Sequence, residues 1–178
     1  MAVTSLHHVA YRCNDAQETA DFYTKLMGLE YYAAVSEETV PSTGEAFPYM
    51  HIFFAMGDGS CIAFFEVPAS PPMQKDANTP DWVQHLALNV ESMEELLERK
   101  KILEDAGVEV VGPTDHAFCH SIYFFDPNGH RMEFAWHCGD EAMMKRLSST
   151  APEMLEKWNR SKNVQRDAAW VHDGSASK

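Results

Sequence analysis

Apolar and polar residues follow the same order of patterns twice along this chain. The first half has LHHVAYRC, a helical period from about Asp15 to Met27, and then the segments LEYYAAV, YMHIFFAM and CIAFFEV. The second half has VQHLALNV, a helical period from about Ser92 to Ala106, and then VEVV, HSIYFF and HRMEFAW. Period-two alternation predicts strands and the longer period predicts helices, so each half is expected to fold as β-α-β-β-β.

Glycines and turn residues mark the ends of these elements. Gly28 and Gly107 follow the two predicted helices, at a position where glycine accepts the left-handed conformation without strain. The turns GDGS and DPNG separate the last two apolar segments of each half and predict hairpins. We therefore predict an α+β fold of two tandem βαβββ modules, residues 5–68 and 82–138, which form a cupped mixed sheet.

A further helical segment follows the second module. The pattern predicts a helix from about Asp140 to Trp158, with an interruption around Thr150 to Pro152. Its predicted apolar face consists of Ala142, Met143, Leu147, Met154, Leu155 and Trp158. We predict one domain over residues 1–138, and a C-terminal helix with a polar tail ending in GSASK over residues 139–178.

Composition narrows the classes of function. Apolar residues make up 45% of the 178 residues, which is enough to build a core. The formal net charge of −13 repels phosphate backbones, so nucleic acid is not an expected partner. The chain shows neither a secretory signal nor a long apolar run, so we expect a cytoplasmic protein that does not bind a membrane. Its four cysteines are scattered along the chain, so we expect reduced thiols.

Strand alternation selects a set of candidate metal ligands. His8 and His85 each have an alanine two positions further on, and Glu133 likewise precedes Ala135. These small neighbours leave room for an ion and a ligand. Glu66 shares its side of the strand with Phe64, in a more apolar setting. Two imidazoles and two carboxylates suit a divalent ion such as Ni²⁺, Zn²⁺, Fe²⁺, Co²⁺ or Mn²⁺.

Several of these motifs resemble the vicinal oxygen chelate superfamily. The resemblance rests on the strands LHHVA and VQHLA, on DFYTKLMGLEYY, and on SIYFFDPNGHRMEF. It implies that the first and last strands of each module supply metal ligands, which places them at His8, Glu66, His85 and Glu133. The carboxylate at Glu66 resembles glyoxalase I, with Glu133 and Glu66 as the carboxylates that move protons.

The resemblance implies an activity and leaves alternatives open. A glyoxalase-type lyase would act on a small oxygenated substrate, such as the hemithioacetal of glutathione, through a metal-stabilised enediolate. The alternatives are an Fe²⁺ extradiol dioxygenase that uses His8, His85 and Glu133, and a non-catalytic binding protein of the bleomycin-resistance kind. Ring-cleaving dioxygenases carry an acid/base histidine where this chain has Ser60 and Cys61, which counts against the dioxygenase.

Three further expectations concern the surroundings of the site. The resemblance implies that Arg12 helps to bind glutathione, and the position of His116 before the penultimate strand favours a catalytic role at the cavity mouth. A nucleophilic pair of Cys119 and His120 is not expected, because adjacent strand residues point to opposite faces. The C-terminal helix is expected either to form the contact of a homodimer or to cover its own subunit.

Overall fold

The structure, a computed structural model, describes residues 3–74 and 76–172. The chain divides into two compact units. The first contains Met1–His85, Ile102–Glu109 and Phe124–Met132, and the second contains Leu86–Lys101, Val110–Tyr123 and Glu133–Lys178. This division cuts across the two sequence modules, because short segments of the second module belong to the first unit.

The first module forms a four-stranded mixed sheet. Its strands are β1 (His8–Cys13), β2 (Glu30–Thr39), β3 (Ala46–Ala55) and β4 (Cys61–Glu66), in the spatial order β1-β4-β3-β2. Strand β1 runs parallel to β4, while β3 is antiparallel to both β4 and β2. The parallel pair is possible because a helix connects β1 to β2 and reverses the chain direction.

One helix covers this sheet. Helix α1 (Ala16–Asp21) starts at Asp15, whose side chain accepts a hydrogen bond from the backbone N–H of Glu18, and it continues as a π-helical turn over Phe22–Leu26. Tyr23 is fully buried and its ring lies 4.7 Å from that of Phe64 on β4. The apolar side of the helix therefore determines which face of the sheet is buried.

The second module repeats this order of elements. It contains β5 (Leu86–Val90), α2 (Met93–Asp105), β6 (Val111–Asp115), β7 (Cys119–Phe125) and β8 (Arg131–His137), with the strands ordered β5-β8-β7-β6. The predicted α+β fold with two βαβββ modules is confirmed. Strand β6 begins where the predicted segment VEVV ends, so this strand lies later in the chain than the apolar pattern indicated.

The turn between β7 and β8 owes its shape to a buried carboxylate. Asp126 is 5% exposed and accepts hydrogen bonds from the backbone N–H groups of Asn128 and His130, at 2.9 and 2.8 Å. Gly129 has φ of +85°, which residues with a side chain rarely adopt. The tight hairpin predicted from the letters DPNG is therefore present.

The C-terminal extension forms α3 (Glu141–Ser161). The predicted interruption near Pro152 is wrong, because the helix continues through this proline. Pro152 removes one backbone hydrogen bond from the helix. In the preceding turn, the hydroxyl of Thr150 bonds to the carbonyl of Leu147 and that of Ser149 bonds to the carbonyl of Arg146. These hydroxyl contacts do not involve the carbonyl of Ser148, which is the one that Pro152 leaves without a backbone donor.

A short 3₁₀ helix, Ala169–Val171, packs against α3 in the second unit. Trp170 and Met143 are buried there together with Val171, and Phe118 packs against them. The predicted apolar face is only partly covered, since Leu155 and Trp158 remain 61% and 44% exposed. The polar tail lies outside the described residues, and none of the described helices has the length and apolarity needed to span a membrane.

Candidate active site

The two predicted ligands of the first module lie at opposite ends of the β1/β4 pair. His8 pairs with Cys61, whereas Glu66 pairs with Cys13. Glu66 is therefore five residues further along the pair than His8, which corresponds to roughly 16 Å at the rise of a strand residue. The structure does not bring His8 and Glu66 together.

Glu66 and His8 also face opposite sides of the sheet. Cross-strand partners point to the same face, so Glu66 shares its face with Cys13 and with the buried Phe64. We call this side the helix face, since α1 packs on it, and the opposite side, which bears His8 and Ala10, the His8 face. The Glu66 carboxylate accepts a hydrogen bond of 2.7 Å from the backbone N–H of Ala16, so it caps the first turn of α1.

The His8 face carries a histidine that the sequence analysis did not select. His51 on β3 is the cross-strand partner of Phe65 on β4, which in turn pairs with Arg12 on β1. The ring of His51 stacks on Phe65, with 3.6 Å between centroids and 18° between planes. The ring of His8 lies 6.5 Å from that of His51. Burial, together with the neighbouring His8, lowers the pKa of His51 below its ordinary value.

His8 itself lies at the exposed start of β1. Its Nδ1 atom is 2.7 Å from Nδ1 of His7, so one of these two nitrogens carries a proton. Two positions further along the same face, Ala10 pairs with Ala63. The predicted open space beside His8 is therefore bordered by small side chains on both strands.

His85 immediately precedes β5 and is exposed. Its Nδ1 atom lies 3.2 Å from the backbone carbonyl of Val83. In β5, Leu88 and Val90 are buried while Ala87 and Asn89 are exposed, as the alternation predicted. His85 also lines a cavity of about 750 Å³ in the first unit, together with Tyr11, Met73, Asp76, Asp81, Phe125, Asn128 and His130.

Arg12 lies near a second cavity of the first unit. One nitrogen of its guanidinium donates a hydrogen bond of 2.5 Å to the carbonyl of Pro71. The cavity, of about 490 Å³, is lined by Arg12, Glu66 and residues of the segment that follows β4. A contact of Arg12 with glutathione stays a prediction.

In the second unit, Glu133 belongs to a hydrogen-bonded network. Glu133 is only 5% exposed, and its neighbours Met132 and Phe134 are buried on the other side of β8. The side chain of Tyr123 hydrogen-bonds to Glu133 and to the buried Ser121. Burial, followed by the charge of Glu133, raises the pKa of the Tyr123 hydroxyl.

His116 completes this network, in the region where the sequence analysis expected a catalytic residue. Its Nε2 atom lies 2.8 Å from the hydroxyl oxygen of Tyr123. A tyrosine hydroxyl carries a single hydrogen. When Tyr123 donates that hydrogen to the Glu133 carboxylate, His116 must donate to Tyr123, which requires a proton on Nε2. The three side chains thus form a path along which a proton can be held or moved.

Cys119 and His120 do not form a nucleophilic pair. The sulfur of Cys119 lies 3.8 Å from the hydroxyl of Ser121, whereas the ring of His120 stacks on Trp136. The expectation that these neighbours point to opposite faces of the strand is met. Burial also raises the pKa of the Cys119 thiol, which lowers its reactivity as a nucleophile.

The chain offers histidine and carboxylate donors, which are the residue types that bind divalent metal ions. Over the described ranges, no group of three or more His, Cys, Asp or Glu side chains is arranged so that it could hold an ion. His8 and His85 nevertheless offer exposed imidazoles, and Glu133 is a buried carboxylate. This donor chemistry suits a borderline divalent ion. The structure places Glu66 away from His8, and His85 lines a cavity with Tyr11 of the helix face. Binding of one ion by His8, His85 and Glu133 therefore stays a prediction.

Fold and donor residues together define a class of protein with two βαβββ modules and histidine and carboxylate groups near their strand ends. The family model described as Glyoxalase/Bleomycin resistance protein/Dioxygenase superfamily matches residues 5–134. The chain belongs to this superfamily. Its members include glyoxalases and ring-cleaving dioxygenases.

Individual relatives indicate the range of activities in this superfamily. The "Putative ring-cleaving dioxygenase MhqA" of Bacillus subtilis is 27% identical over 135 residues, which cover 74% of this chain and 40% of that protein. The chain thus spans about two fifths of the length of this relative.

Two solved structures share the fold. A glyoxylase/bleomycin resistance protein/dioxygenase domain from Frankia has a TM-score of 0.63 at 17% identity, over 77% of this chain and 100% of that one. The fosfomycin resistance protein FosX of Listeria monocytogenes, solved with Mn(II), has a TM-score of 0.56 at 20% identity, over 77% and 95%.

Proposed function

We propose that the chain is a ring-cleaving dioxygenase that binds Fe²⁺ through His8, His85 and Glu133 and opens a dihydroxylated aromatic ring with oxygen. The observation that carries this proposal is the strand register, which turns Glu66 towards α1 and pairs Ala10 with Ala63. The first module then offers His8, with His51 beside it, on the His8 face, whereas the carboxylate that was predicted to bind the metal lies on the helix face. Two histidines and one carboxylate are the ligands of many non-haem iron oxygenases, which keep open positions for substrate and oxygen.

The relative MhqA supports the same class of reaction, because its name is that of a ring-cleaving enzyme. The alternative activity is that of a glyoxalase-type lyase using Ni²⁺ or Zn²⁺ and glutathione, which depends on Glu66 as the fourth ligand and second proton carrier. Glu66 lies on the helix face and accepts a hydrogen bond from the backbone of Ala16. We therefore assign it neither role. We therefore prefer the dioxygenase.

The histidine that the resemblance leads one to expect before β4 is replaced in this chain. Ser60 occupies that position, and its hydroxyl bonds to the carboxylate of Asp58 at 2.6 Å. The network of His116, Tyr123 and Glu133 supplies an alternative group that can hold a proton. The absence of that histidine therefore does not argue against proton transfer.

Each group of the proposed site has a different role in the reaction. Fe²⁺, if bound by the two imidazoles and the carboxylate, would hold the catechol and oxygen side by side and pass electrons from the catechol, which is the reductant, to oxygen. Tyr123 keeps a proton at its hydroxyl oxygen because burial and Glu133 disfavour the phenolate. His116 holds that hydroxyl in place from the other side. A hydroxyl of known protonation next to the metal carboxylate can orient a substrate oxygen and exchange a proton with it.

The test is an anaerobic preparation of the Fe²⁺ form that is mixed with catechols and then exposed to oxygen. A ring-opened product, detected by its yellow absorption and by oxygen uptake, is expected from the Fe²⁺ form and not from the Zn²⁺ form. The same preparations are given the hemithioacetal of methylglyoxal and glutathione. Isomerisation of that compound by the Ni²⁺ or Zn²⁺ form, without ring opening by the Fe²⁺ form, would refute the proposal in favour of a lyase.

A further inference from the structure

Aromatic rings and two alanines are neighbours on the His8 face of the first sheet. Phe53 on β3 lies 5.9 Å from the ring of His8, and it pairs with Ala63, which pairs with Ala10. Ala63 is fully buried, whereas Ala10 is exposed. Of the two alanines, only Ala10 is therefore accessible, and the rings on this face offer a surface that suits a flat ligand.

His51 is one of these rings, and one of its nitrogen atoms makes no hydrogen bond within the described residues. Its Nε2 is buried and has no hydrogen-bond partner in the part of the chain that the structure describes. The ring is fixed by the stack on Phe65 and by Phe53, whose centroid is 4.1 Å away. A buried polar atom is normally hydrogen-bonded, and here the protein holds such an atom among rings beside His8.

We propose that His51 is a substrate-binding residue whose Nε2 hydrogen-bonds to a polar substituent of a ring that lies against Phe53 and over Ala10. This inference rests on the proposed function for the identity of the ring as a catechol. It makes His51 a residue that determines specificity. A ring with a hydroxymethyl group should be preferred to one with a methyl group, because only the former gives Nε2 a partner.

Two substitutions separate the hydrogen bond from the packing. His51→Phe keeps a ring that can stack on Phe65 but removes the nitrogen, while His51→Gln restores an amide group that can donate or accept. His120→Phe is the matched control, because His120 is also a stacked histidine, 5.6 Å from the ring of Trp136, and it lies in the other module. Circular dichroism shows whether each variant is folded.

The experiment measures dissociation constants of hydroxymethyl- and methyl-substituted catechols by calorimetry, without oxygen, on protein loaded with Zn²⁺. We expect His51→Phe to weaken binding of the hydroxymethyl compound about tenfold, or about 1.4 kcal/mol, and to change binding of the methyl compound by less than about threefold. His51→Gln should restore most of the loss, and His120→Phe should resemble the wild type.

Equal losses for both compounds, or no loss in His51→Phe, would overturn the role of His51, whether or not the Fe²⁺ enzyme opens rings. Binding that depends on His51 without ring opening in the Fe²⁺ form would instead overturn only the proposed activity. If the wild-type protein binds neither compound, the role of His51 is refuted, while the proposed activity is judged by ring opening in the Fe²⁺ form.

Discussion

Glu66 lies directly opposite Cys13 on the neighbouring parallel strand, five residues beyond the position of His8. This pairing places the carboxylate on the helix face, where it accepts a hydrogen bond from the backbone of Ala16. Glu66 resembles a metal ligand by its residue type and its position in the sequence, but in the fold it has a structural role. The number of carboxylates available to a metal decides between lyase and dioxygenase, so this one relationship carries the functional proposal.

The capping role of Glu66 predicts a loss of stability. Glu66→Ala leaves the N–H of Ala16 without its acceptor, and we expect the free energy of unfolding to fall by about 1 kcal/mol. The matched control is Glu18→Ala, which removes an exposed carboxylate from the same first turn. Urea unfolding followed by circular dichroism measures both. Equal stabilities of the two variants would contradict the cap.

The hydroxyl of Tyr123 is predicted to be needed for catalysis and not for metal binding. Tyr123→Phe removes the group between His116 and Glu133, so we expect kcat for ring opening to fall about a hundredfold. The iron content should stay at the wild-type level. Tyr32→Phe, at a tyrosine that is 66% exposed, serves as control. A normal kcat in Tyr123→Phe would show that the network has no part in the reaction.

Cys13 predicts a pH dependence of stability. Burial, strengthened by the charges of Glu66 and other nearby carboxylates, raises the pKa of this thiol from 9.0 to about 11. Between these values the unfolded chain releases the proton while the folded chain keeps it, so the contribution to stability is complete below pH 9 and is lost as the pH rises towards 11.

Cys13→Ala removes this contribution. The unfolding free energies of the variant and the wild type should differ by a constant amount below pH 9 and converge above it. The measurement is urea unfolding at a series of pH values. Parallel curves over the whole range would contradict the assignment to Cys13.

The sequence predicted the fold from features that are local. Alternation in β5 and the glycines after both helices indicated the two modules, since each signal depends only on neighbouring residues. Alternation also placed Glu66 correctly on the side of Phe64. It does not reveal how far one strand is shifted against the next, and that register separates Glu66 from His8.

The same reason explains the residues that the sequence analysis missed. His51 shares its face with His8 only because β3 and β4 pair His51 with Phe65. Tyr123 shares its face of β7 with the buried Ser121. The hairpin predicted from the DPNG turn pairs β7 with β8, but the turn letters do not give the register that places Tyr123 beside Glu133. The interruption predicted at Pro152 is wrong because local propensity does not include the rest of α3, which continues as a helix on both sides of the proline.

The C-terminal extension is predicted to contribute to stability through Trp170. This side chain is 7% exposed, and the guanidinium of Arg146 lies 3.9 Å from its ring centroid. Trp170→Ala should lower the free energy of unfolding by about 3 kcal/mol. Trp158→Ala, at a tryptophan that is 44% exposed, should cost less than about 1 kcal/mol. Similar losses in both variants would show that the 3₁₀ segment is not anchored as described.

The central claim is that Glu133 binds the metal and Glu66 does not. The most direct test loads wild type, Glu66→Ala and Glu133→Ala with Fe²⁺ without oxygen, removes free ion, and measures iron per chain by mass spectrometry. We expect Glu66→Ala to hold as much iron as the wild type, and Glu133→Ala to lose most of it while remaining folded. A loss in Glu66→Ala as large as that in Glu133→Ala would contradict the three-ligand site and restore the four-ligand set of a lyase.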